Sequence, residues 1–136
     1  MSFVRVQHFD VFHLWCEQMK PQAKNKLVVI VGVEPEYVFG FVIDTKPTRH
    51  ALEPEQAQTV LPCYAPILAI EHDGMLEYDS FVNCRTPYTF PRQMLTQDSK
   101  RVSLNLNARK SILHAVKQCR ELKPKHRDRI LEQISI

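Results

Sequence analysis

Hydrophobic and polar positions split this chain into a front part that alternates like strands and a back part that repeats like helices. The clearest stretch is Lys26 to Thr45, KLVVIVGVEPEYVFGFVIDT. Its two apolar runs, Leu27 to Val31 and Val38 to Ile43, flank a turn carrying Gly32, Glu34, Pro35 and Glu36, which predicts an antiparallel hairpin. Lys24, Asn25 and Lys26 precede the first run, and Asp44, Thr45, Lys46 and Thr48 follow the second. An antiparallel pairing therefore gathers cations and hydroxyls at one edge.

Around the hairpin the signals are shorter. Asp10 to Cys16 reads as a strand, although Phe9, Phe12, Cys16 and Met19 also fit one face of a short helix. Glu17 to Asn25 is a polar loop interrupted by Pro21. Leu52 to Thr59 reads as a short helix or an irregular crossover, with Pro54 placed where a first helical turn tolerates its missing N–H. Ile67 to Glu71 predicts a strand closed by an Asp73-Gly74 turn, and Ser80 to Cys84 predicts another. Thr86 to Phe90 is extended, with Pro87 and Pro91 restricting it to an edge strand or loop. Five or six short strands, with nine prolines and three glycines, describe a mainly β (α+β) fold: a small, strongly bent antiparallel barrel.

From Asn107 to Lys123 the period changes. Ile112, Ala115, Val116, Cys119 and Leu122 mark one face of a helix that Asn105 or Asn107 can cap. At 100° per residue, Arg109, Lys110, Lys117, Arg120 and Lys123 fall in an arc of roughly 140° beside that face. Pro124 ends this helix and opens a second, in which Ile130, Leu131 and Ile134 pack inward.

Length and composition, 136 residues and 44% hydrophobic, support one domain over 1–136, with a barrel at about 3–95 and helices at about 105–135. No signal-like leader and no apolar run long enough to span a membrane is present, so a cytoplasmic protein without a membrane partner is expected. The net charge of +3 is unevenly spread. From Arg85 onward twelve basic residues face four acidic ones, a balance of +8, which leaves −5 for the residues before. A basic segment on an acidic body suggests a polyanion or an acidic protein as partner, or simply solvated helix faces.

The candidate chemistry is sparse. Three glycines cannot build a phosphate loop, and no hydrolase or zinc-protease signature occurs, so no cofactor is expected. Cys16, Cys63, Cys84 and Cys119 are widely spaced among apolar neighbours, which predicts buried free thiols and no metal site. What remains is the hairpin edge. Thr45 beside Lys26 could hold a phosphodiester and stabilise the charge that forms when a ribose 2′-hydroxyl attacks phosphorus, with no metal required. Arg49 stands close enough in sequence to reach the same anion, and His50 or His13 could move the proton. The plain alternatives are a turn residue for Thr45, a surface lysine for Lys26 and packed or surface histidines. Asp79 with Ser80 is a second pair, read more simply as a turn and a strand start. Trp15 and Tyr37 read as core or rim.

The order of these pieces resembles the MazF/PemK toxin superfamily, whose SH3-like barrel is shared with CcdB-type proteins. YDSFVNC, a spacer with Phe90 and Leu95, VSLNL and ILHAVKQCREL look like that family's last strand, connector and closing helix, and KNKLVVIV and FGFVIDT look like its second and third strands. The resemblance implies a cytoplasmic homodimer that cleaves single-stranded RNA without a metal, paired with an acidic antitoxin-like protein. It also implies that Thr45 matches a substrate-facing threonine after the third strand. The family's arginine at the entry to the second strand is replaced by Lys24 or Lys26, which keep the charge and lose the planar grip on phosphate. Two functions follow from the resemblance. One is a metal-independent endoribonuclease with Lys26, Thr45 and His50 as catalytic residues and Lys24, Lys46, Arg49, Arg109, Lys117 and Arg120 on the nucleic acid. The other is a non-catalytic relative that binds nucleic acid or an antitoxin-like peptide.

Overall fold

The computed structural model describes residues 4–19, 21–45, 54–72 and 74–134. Its strands are β1 (Asp10–Cys16), β2 (Lys24–Val33), β3 (Tyr37–Asp44), β4 (Tyr64–Ile67), β5 (Ser80–Asn83), β6 (Tyr88–Pro91) and β7 (Lys100–Ser103). Its helices are α1 (Pro54–Val60), α2 (Leu106–Gln118) and α3 (Pro124–Gln133). The strands form one antiparallel sheet in the order β4-β5-β3-β2-β1-β7, and β6 also pairs with β3. β3 is the pivot. Its Tyr37 to Gly40 half pairs with β6 and its Ile43–Asp44 end pairs with β5, which bends the sheet strongly. The bent, mainly β sheet with C-terminal helices is the expected fold class, and its path stays open between β4 and β7.

Both faces of the sheet are buried, which explains why β2 reads as a continuous apolar run rather than an alternating one. Val29, Val31, Phe41 and Ile43 face a core closed by Ile112, Val116, Leu122 and Ile130 of the helical segment. Val28, Ile30, Val38 and Val42 face the inside of the bend with Phe12, Leu14 and Phe90. The hairpin register shifts between Ile30 and Gly32, and the ring of Phe39 lies over Gly32. A Cβ at position 32 would stand 1.8 Å from Phe39 Cζ, so only glycine fits there.

Several local assignments differ from the sequence reading. Asp10 to Cys16 is not one of them: it forms the strand expected rather than the alternative short helix. The strand expected at Ile67 to Glu71 instead runs Tyr64–Ile67, with a single helical turn at Ala69–Glu71. The Ala69 N–H goes to Asp79 Oδ1 at 2.8 Å, which removes it from any strand ladder. β7 had no local signal, because its four residues KRVS carry one apolar side chain. Pairing with β1 makes it a strand, and the buried Asp10 anchors it by accepting the Ser103 hydroxyl and pairing with Lys100 Nζ at 3.4 Å. Asn105 is the cap of α2, its Oδ1 accepting the Ala108 N–H at 2.9 Å. That helix ends at Gln118, earlier than the apolar spacing suggested, because the guanidinium of Arg127 takes the carbonyls of Val116, Cys119 and Leu122.

The four free thiols of the sequence reading are corrected to two. Cys16 and Cys84 are buried and free, but Cys63 and Cys119 form a disulfide. The turn at Leu61–Cys63 and the end of α2 bring their Cα atoms to 4.5 Å, a proximity that residues 56 apart do not reveal in sequence.

Candidate functional site

The hairpin edge holds the candidate site, and strand geometry sorts its residues between two faces. Lys26 is two residues from Val28, whose partner is Val42, so the same register places Lys26 opposite Asp44. The ammonium donates to Asp44 Oδ1 at 2.7 Å, with both side chains about three-quarters buried. Cys16 lies on this side too. Burial raises its thiol pKa, and the nearby Lys26 partly offsets that rise. Tyr88 joins them: burial raises its phenol pKa, the Cys16 and Asp44 charges add to the rise, and Arg85 opposes it. Lys26 is therefore one member of a neutralised polar cluster.

Thr45 belongs to the opposite side. It is exposed at the end of β3 and lines a cleft of about 200 Å³ with Leu27, Ile43, Met75, Leu76 and Ser80. Asp44, Glu77 and Tyr78 complete the lining, which among the described residues contains no lysine or arginine. The hydroxyls of Thr45 and Tyr78 can donate to a polar ligand, while the Glu77 carboxylate disfavours a phosphate. The structure thus joins Lys26 to Asp44 rather than to Thr45.

The other sequence-predicted residues are dispersed. Lys24 is exposed at the start of β2, opposite Cys16. Lys46, Arg49 and His50 lie outside the described residues. His13 is exposed on β1. Arg109 is half-buried: its Nε donates to the Leu104 carbonyl at 2.7 Å and its guanidinium stacks over the Phe9 ring at 5.3 Å. Lys117 and Arg120 are exposed. The basic surface is smaller than the charge count suggested, because Arg85 pairs with Glu121 at 2.8 Å, Arg129 with Glu34, and Arg127 with helix carbonyls. Asp79 and Ser80 act structurally, Asp79 on the Ala69 amide and the Ser80 hydroxyl on the Tyr78 carbonyl at 2.9 Å. Trp15 and Tyr37 sit at the rim.

Sequence reasoning placed Asp44 at the edge without pairing it with Lys26, and it missed Tyr88. The pairing was within reach, since continuing the Val28 to Val42 register outward sets Asp44 opposite Lys26. Tyr88 was not, because β6 reaches β3 only through the tertiary bend. Among the described residues no group of three or more His, Cys, Asp or Glu side chains could hold a metal ion, and no helix is long and apolar enough to cross a membrane.

No protein-family model matches the sequence, and no curated protein matches it either. Solved structures do. The Mycobacterium tuberculosis toxin MazF-mt6 superposes with a TM-score of 0.58 at 17% identity, covering 84% of this chain and 98% of that one. The chain has a MazF-like fold. At this identity the MazF-like likeness concerns the backbone, and the polar edge around Lys26, Asp44 and Thr45 is described by this chain's own side chains.

Proposed function

We propose that the chain is a MazF/PemK-like toxin-type protein that cleaves single-stranded RNA, working as a cytoplasmic homodimer with an acidic antitoxin-like partner. The observation that supports this reading is the exposed Thr45 hydroxyl beside a cleft at the end of β3, on a chain with a MazF-like fold. The reaction needs a ribose 2′-hydroxyl to attack the adjacent phosphorus and the 5′-oxygen to leave. Thr45 donates a hydrogen bond to a non-bridging phosphate oxygen as its charge grows. With Glu77 in the cleft lining, compensating charge comes from Lys46 and Arg49, and His50 exchanges the proton.

A second reading has its own support. The Lys26–Asp44 ion pair occupies the cation nearest the edge and so removes a charge that catalysis would use, which suits a non-catalytic relative that holds nucleic acid or an antitoxin-like peptide.

The deciding experiment incubates micromolar protein and a long single-stranded RNA with chelator present. Cleavage by the wild type, reduced about a hundredfold by Thr45→Ala, supports the endoribonuclease. Intact RNA replaces it with the binding reading.

A further inference from the structure

A second cleft, of about 510 Å³, opens away from the hairpin edge between the residues leading into β1, the end of β2, and the helices. Val6, Phe9, Val33 and Ile134 give it an apolar wall, and Gln7, His8, Arg109 and Gln133 a polar one. We propose that this cleft binds a small oxyanion carrying a short apolar body, a carboxylate or a phosphate monoester, with Arg109 as its anchor.

The polar wall is held in place before any ligand arrives. Arg109 has its Nε fixed on the Leu104 carbonyl and its guanidinium carbon over the Phe9 ring, 5.3 Å from the ring centre. Its two terminal amino groups have no acceptor among the described residues. A planar fork with free donors matches the two oxygens of a carboxylate or phosphate. Phe9 is itself unusual, a buried non-glycine residue at φ 73°, kept there by its N–H on the Ile30 carbonyl at 2.7 Å and its carbonyl on the Leu104 N–H at 3.1 Å. Backbone in this region persists only where the surroundings impose it, and such residues concentrate at ligand sites. Here the conformation puts the ring beneath the guanidinium.

Gln133 is equally constrained. Its Oε1 accepts the Val33 N–H at 2.8 Å, which fixes the amide orientation, and its Nε2 donates to Glu34 Oε1 at 3.0 Å. The same Oε1 lies 2.9 Å from His8 Nε2, so His8 carries its proton on that nitrogen. Glu34 is the acidic group that would oppose an anion. It is held by Arg129 and by the Gln133 amide.

The test is an amide-resolved NMR titration of the full chain with phenyl phosphate, benzoate and inorganic phosphate in separate arms. Phenyl phosphate or benzoate is expected to shift the Val33 backbone amide and the Gln133 side-chain amide with a dissociation constant of about 1 mM or tighter. Whichever of the two binds more tightly identifies the headgroup, and inorganic phosphate reports the contribution of the charge alone. Arg109→Gln should weaken binding at least about tenfold, because a charge-assisted bond is lost. Val6→Trp, which fills the cleft from its apolar side and leaves Arg109 intact, should abolish binding even if the first variant folds poorly. No shift of these amides up to about 10 mM in the phenyl phosphate and benzoate arms, or equal shifts in Val6→Trp, overturns the proposal.

Discussion

Lys26 Nζ donates to Asp44 Oδ1 at 2.7 Å across the β2–β3 pair, one residue before Thr45. This pairing ties the Lys26 cation to a carboxylate, so Asp44 sets how much of that charge a nucleic acid can feel. Asp44→Asn is therefore expected to tighten single-stranded RNA binding at low salt, while Lys26→Met weakens it little. Binding isotherms for both variants check this. A double-mutant cycle on stability should return a coupling of about 1 kcal/mol, near the upper end for partly exposed ion pairs.

Gly32→Ala should destabilise the protein by roughly 1 to 3 kcal/mol, because the new methyl displaces the Phe39 ring from a filled core. Phe39→Leu in the same chain should recover part of the loss. Denaturant midpoints of the three variants measure it. Equal stability of Gly32→Ala and wild type would refute the close approach.

The Cys63–Cys119 disulfide closes a separation of 56 residues. Reduction is expected to cost about 4 kcal/mol in the chain-entropy account and to lower the melting temperature accordingly. Disulfides are rare in reducing compartments, so this bond and a cytoplasmic location pull in opposite directions. Acid-trapped thiol labelling of freshly lysed cells counts two protected thiols if the bond forms there and none if it does not.

Burial pushes the Cys84 thiol far above its usual range. In the unfolded chain it ionises near pH 9 while the folded form stays protonated, so its contribution is intact below pH 9 and is lost as pH rises beyond it. Stability should fall by up to about 1.4 kcal/mol per pH unit on this account. Cys84→Val should flatten that slope, seen in urea midpoints measured at increasing alkaline pH.

If the exposed cations meet RNA phosphates, neutralising Lys24, Lys117 and Arg120 together should reduce the slope of log affinity against log salt by roughly 2. Arg109→Gln should reduce it by no more than about 0.7, the share of a single charge on a single strand, since its Nε is already held on Leu104. Filter binding across a salt series separates the two.

Elements with strong local periodicity were legible in the order of residues alone. The hairpin from β2 to β3 and the two C-terminal helices follow from apolar spacing and capping chemistry, which act within a few residues, while the choice of Asn105 over Asn107 as the cap came from the fold. Thr45 at the end of β3 was likewise legible, because a strand end is a local property. Tertiary structure decided the rest. β7 has one apolar residue and becomes a strand only by pairing with β1, and Tyr64–Ile67 displaced the expected strand because Asp79 claims the Ala69 amide. The Cys63–Cys119 bond joins segments that only chain folding brings together. The fate of the charges was decided there as well. Sequence counts cations, but whether Arg85, Arg127, Arg129 and Lys26 face solvent or a carboxylate or carbonyl depends on which residues the fold sets within about 3 Å of them, where the interaction is strong enough to hold them.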